Sequence, residues 1–127
     1  MLSKEQILGA DDRKTVELEV PEWNGIVYLR MMSGRERDAL EDSMQPGKNG
    51  KQNFKGFRSR FAALVLADET GKRLFTDAEA IQLGEKSAAA LDRILDRGLE
   101  INGMSKDQVE EMAGNSKGDQ NEDSGFD

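Results

Sequence analysis

Asp68-Glu69-Thr70-Gly71-Lys72 brings oxygen ligands and a glycine turn together, the ingredients of a calcium loop. The alternating ladder of ligands is missing, so the segment reads as a turn running from a Phe-bearing helix to Leu74-Phe75. Three pairs of acids, Asp11/Asp12, Glu41/Asp42 and Glu110/Glu111, are adjacent in sequence. On a helix such neighbours point about 100° apart, so they are solvated charges rather than a general acid and its base. Gly47 and Gly50 lack the Lys-Ser/Thr pair and helix start of a phosphate loop. With 0 His and no cysteine, thiolate nucleophiles, Cys/His zinc sites and the commonest proton shuttle are excluded. Neither enzymatic activity, nor a metal, nor a cofactor is expected.

The elements that must carry any function are helical for the most part. Ser3/Gln6, Ser33/Glu36, Thr76/Glu79 and Ser105/Gln108 each have the spacing of a capping box, in which two side chains satisfy two orphan backbone donors at a helix start. Helices are predicted near 4–8, 34–44, 77–84 and 106–113, with longer ones near 54–67 and 87–101. Phe54, Phe57, Phe61, Leu64 and Val65 recur at helical spacing and read as the stripe of the central core helix. Ala88, Leu91, Leu95 and Leu99, with Ile94 and Ile101 beside them, form a second stripe that Asn102-Gly103 terminates.

Residues 15–31 alternate with the period of a strand. A two-residue turn centred on Asn24-Gly25 would pair Val20 with Leu29, Leu18 with Met31 and Glu19 with Arg30. Pro21, which has no N–H to give a ladder, then needs an outward edge position or a longer loop. This register gathers Trp23, Ile26 and Tyr28 on the face opposite Val20. Such a cluster needs a cover: either the first helix with Ile7 and Leu8, or a partner.

The sequence thus predicts an α+β fold, a mainly helical single domain over 1–113 with an N-terminal β-hairpin. Residues 46–53 contain no large apolar side chain and are expected to form a mobile loop. Residues 114–127 hold one, Phe126, and are expected to be a disordered acidic tail. In 127 residues there is room for one core only. No run approaches a membrane span and the start has no signal-peptide core, so a cytoplasmic location is expected.

The net charge of −7 opposes attraction to nucleic acid or to an anionic membrane. The charge is uneven, however. Between residues 34 and 60, seven bases (Arg35, Arg37, Lys48, Lys51, Lys55, Arg58, Arg60) face four acids (Glu36, Asp38, Glu41, Asp42), a local +3 that is either a solvated face or a partner surface.

Val20-Pro21-Glu22-Trp23-Asn24-Gly25 and its continuation to Arg37, Leu66-Ala67-Asp68-Glu69-Thr70-Gly71 to Asp77, and Leu83-Gly84-Glu85-Lys86-Ser87 through Asn102-Gly103-Met104-Ser105 are similar to the tail assembly chaperones of long-tailed, siphovirus-type phages. Ser105-Lys106-Asp107-Gln108-Val109-Glu110-Glu111-Met112 followed by a polar run completes the likeness. The resemblance implies a chaperone in the host cell cytoplasm that binds the tape measure protein, keeps it soluble and is absent from the mature virion. It further implies weak self-association and a longer product of translational frameshifting that recruits the major tail protein. Trp23, Tyr28, Arg35 and Arg58 are the candidate partner contacts. A second reading from another class is an acidic regulator or DNA mimic that occupies a basic site on a host enzyme.

Overall fold

A computed structural model describes residues 1–44 and 56–109. The predicted loop at 46–53, Phe54, the end of the helix at 106–113 and the acidic tail lie outside the described residues. The order is α1 (Lys4–Leu8), β1 (Thr15–Val20), β2 (Gly25–Arg30), α2 (Gly34–Ser43), α3 (Phe57–Val65), β3 (Leu66–Ala67), α4 (Ala80–Leu83) and α5 (Ala88–Ile101), with a helical turn at 106–109. The strands form an antiparallel sheet in the order β1-β2-β3. α5 packs against both β1 and β2 on one side and against α3 on another. The α+β class, with its N-terminal hairpin, is the one expected.

All four predicted capping boxes are present. Ser3, Ser33 and Ser105 accept from the N–H of Gln6, Glu36 and Gln108, whose side chains accept in return from the cap N–H. At Thr76 the N–H donates to Glu79 Oε1 over 2.8 Å, and a short 3-10 turn leads into α4.

The hairpin differs from its predicted register. Pro21–Trp23 forms a 3-10 turn, and Asn24 closes it with φ 55, in the left-handed region that asparagine tolerates. The connection therefore takes up the residues that a two-residue turn would have paired, and Val20 opposes Gly25, Leu18 opposes Val27 and Val16 opposes Leu29. The offset from the predicted pairing is even, so each side chain keeps its face. Val20 and Leu29 remain fully buried. Arg30 opposes Thr15 rather than Glu19, and Pro21 sits in the turn at the first position of its helix, where a missing N–H costs nothing.

α3 is shorter than predicted. The backbone leaves the helix at Leu66, and Leu66 and Ala67 pair with Leu29 and Tyr28 as a third strand. Both residues are buried, so their apolar character serves a strand as well as a helix. The Phe stripe is core as expected: Phe57 and Phe61 are buried with ring centres 5.9 Å apart, and Val65 is fully enclosed. In α5 the buried stripe is Ala90, Leu91, Ile94, Gly98 and Leu99; Ala88 is exposed. A Cβ on Gly98 would lie 2.6 Å from Phe61 Cε2, so glycine is what lets the ring seat against the helix. Beyond it, Gly103 N–H donates to the Glu100 carbonyl and Met104 N–H to Leu99, with Gly103 at φ +68. This is a Schellman stop with Met104 buried behind it.

Candidate functional site

Two depressions flank α3. The larger, a groove of about 570 Å3, runs between α3 and α5 toward the turn at 106–109. Leu91, Leu95 and Leu99, spaced one turn apart along α5, form its floor with Phe57 and Val109. Charges in ion pairs stand along it. Arg58 Nε donates to Asp92 Oδ1 over 2.6 Å, and Lys106 Nζ lies 3.0 Å from Asp96 Oδ1. The Asp96 carboxylate raises the Lys106 ammonium above the usual lysine range. Opposite charges are thus matched two for two, which leaves a neutral rim over an apolar floor.

The smaller cleft, about 330 Å3, lies between α2, α3 and residues 73–80. Ala39, Leu40, Leu64 and Ala80 line it, and Arg35, Arg60 and Arg73 stand around them. Arg73 is fixed by two bonds to the Ala63 carbonyl and one to Asp77. Glu36 is also in the wall, but its charge is spent on Arg30, which grips it with Nη1 at 3.0 Å and Nη2 at 2.7 Å. Burial raises the Glu36 carboxyl. The Arg30 bonds and the Ser33 N–H outweigh it and hold the group down at about 2. Arg30 is only 5% exposed, and its buried Nε has no hydrogen-bond partner among the described residues.

The four predicted contact residues fall in different places. Arg58 borders the groove and Arg35, exposed in the first turn of α2, borders the cleft. Trp23 does not join Ile26 and Tyr28: the 3-10 turn directs it to the core beside α5, and Arg93 of α5 clasps the neighbouring Glu22 at 2.8 Å. Tyr28 stays on the outer face of the sheet, its hydroxyl 3.5 Å from Glu17 Oε2, whose charge raises the phenol. The first helix does not cover that face. None of its residues is buried, and Ile7 and Leu8 are 57% and 77% exposed.

Sequence reasoning missed Lys106, Asp92 and Asp96 as groove residues, and Arg73 as a cleft residue. Opposite charges three or four places along the apolar stripes were the available signal, but only the packing of α3 on α5 turns them into a rim. Residues 68–72 form the expected turn: Asp68 Oδ1 accepts from Thr70 N–H, Thr70 Oγ1 and Lys72 N–H, which is the work of an Asx turn. The Thr70 hydroxyl is the main cause that lowers the Asp68 carboxyl. Among the described residues there is no cluster of acids able to hold a metal, and no helix is long and apolar enough to cross a membrane.

No protein-family model and no curated protein matches the sequence. A solved structure does match: that of the bacteriophage HK97 tail assembly chaperone, with a TM-score of 0.57 at 22% identity, over 80% of this chain and 95% of that one. At that identity the likeness speaks for the fold, and the chain has the fold of the HK97 tail assembly chaperone.

Proposed function

We propose that this protein is a phage tail assembly chaperone: it binds the tape measure protein in the host cytoplasm, keeps it soluble, and is absent from the finished tail. The observation that carries the reading is the shared fold over nearly the whole of the HK97 chaperone. The chemistry is compatible. A tape measure is a long helix-rich chain whose apolar stripes are exposed until a tube encloses them, so it aggregates unless shielded.

The α3–α5 groove is the surface best suited to such a stripe. Its leucines at successive helix turns offer an apolar track, and the paired charges beside it are already neutralised by each other, so an incoming helix need not strip an unpaired ion of water. Binding must be weak, since the growing tube displaces each copy. Recruitment of the major tail protein belongs to a longer, frameshifted form in which the acidic tail is replaced. Co-expression tests the reading: the tape measure protein becomes soluble with this chain and precipitates without it. Equal insolubility in both, or retention of the chain at high copy in purified virions, overturns it.

A further inference from the structure

We propose that the cleft between α2 and α3 docks an acidic segment bearing one aromatic ring, and that its occupant is residues 114–127 of the same chain. Charge is the first argument. Residues 110–127 hold Glu110, Glu111, Asp119, Glu122, Asp123 and Asp127 against Lys117, so they carry −5 of the total −7 and leave −2 for residues 1–109. The cleft is where that nearly balanced body gathers arginine. Arg35 has no ion-pair partner among the described residues and Arg60 and Arg73 stand beside it; Asp77 is paired with Arg73 and Glu36 with Arg30, so the lining holds three arginines against two acids, with Arg35 as the cation open to a new carboxylate. The α3–α5 groove has no such excess.

Shape is the second argument. Ala39, Leu40, Leu64 and Ala80 give the cleft an apolar floor, and Phe126 is the one large apolar side chain of residues 114–127, set among Asp119, Glu122, Asp123 and Asp127. A ring seated on the floor places carboxylates against the arginines around it. Reach is the third. The 18 residues after Val109 span up to about 60 Å when extended, more than the width of a domain of about 100 residues. Because the segment is tethered, its effective concentration is in the millimolar range, so a weak contact suffices to populate the docked state.

The full chain provides the test. It has no cysteine, so Ser124→Cys accepts a single nitroxide label. Docking predicts selective loss of the amide signals of Ala39, Leu40, Leu64 and Ala80, and their return in 1 M salt, where screening shortens to about 3 Å. Arg35→Glu, which places an acid at a helix N-terminus and so leaves α2 stable, restores the same signals. Uniform weak broadening over the whole surface overturns the proposal, as does broadening centred on Leu95 and Lys106. A mixture of labelled chain with separate isotope-enriched chain distinguishes the remaining case: cleft broadening in the mixture means that a second copy supplies the segment, and the intramolecular proposal fails.

Discussion

Asn102 and Met32, 70 residues apart, are joined by a 2.7 Å hydrogen bond from the Met32 N–H to Asn102 Oδ1. The same amide donates through Nδ2 to the Gly98 carbonyl, and the Asn102 carbonyl accepts from Arg37 at 3.4 Å. One residue therefore ends α5, receives the chain as it leaves β2 and touches α2. The residue that stops a helix also fixes the angle at which the hairpin meets it.

Asn102→Ala is expected to destabilise the domain by about 1 to 3 kcal/mol, the cost of leaving a partly buried donor unpaired. Thermal melts followed by circular dichroism check this. Asn102→Asp keeps the acceptor for Met32 but sets a charged acceptor against the Gly98 carbonyl at the C-terminal end of α5, so it is expected to be destabilised as well. An unchanged melting temperature in the alanine variant would mean that water replaces the side chain at no cost.

Gly98→Ala pits two effects against each other. Alanine favours a helix interior by about 0.5 to 1 kcal/mol. The added methyl meets Phe61 at 2.6 Å, and the ring is fully buried. Overpacking of this kind costs about 1 to 3 kcal/mol, so net destabilisation is expected. Denaturant titration of Gly98→Ala alone and combined with Phe61→Leu gives the measurement, since the smaller side chain relieves the clash and the double variant recovers part of the loss.

The Glu36 carboxyl titrates at about 2 in the fold against an ordinary 4.5. A carboxyl held down on folding adds stability that is complete above its unfolded value and vanishes as pH falls through the folded one. The difference in unfolding free energy between the native chain and Glu36→Gln is expected to be constant at neutral pH and to shrink between about 4.5 and 2. Other carboxylates cancel in that difference. Acid titrations of the two proteins that run parallel down to pH 2 would remove Glu36 from the account.

Much of the helical frame was legible because its signals are local. A capping box needs only two side chains three residues apart, and Ser3, Ser33 and Ser105 close theirs regardless of what packs nearby. Hairpin pairing was not legible, because Asn24 adopts a left-handed conformation after a 3-10 turn rather than within a two-residue turn. Only the parity of the alternation survived, which is why the buried faces of Val20 and Leu29 were right and their partners wrong. Leu66-Ala67 continues the helical pattern of α3 and becomes a strand because β2 offers an open edge, a tertiary choice that propensity does not encode. The groove and cleft needed still more, since each is made by helices distant in sequence. Arg58 was singled out as a cation, yet its place beside Asp92 depends on the packing of α3 against α5.

The proposed chaperone surface makes a prediction that separates binding from folding. Arg58 is exposed and its bond to Asp92 bridges two helices at the surface, where such pairs are worth about 0 to 1 kcal/mol. Arg58→Ala should therefore leave the melting temperature nearly unchanged. Leu95 is half-buried on the groove floor, so Leu95→Lys places a charge where an apolar helix must lie while its stem still covers Leu91 and Leu99. If the groove receives the tape measure protein, Leu95→Lys weakens that contact by about 1 to 3 kcal/mol, roughly five- to 150-fold in Kd. Co-expression then yields correspondingly less soluble tape measure protein, whereas Tyr28→Ala on the outer sheet face yields the native amount. The reverse ranking, with Tyr28→Ala defective and Leu95→Lys active, would move the binding surface from the helices to the sheet.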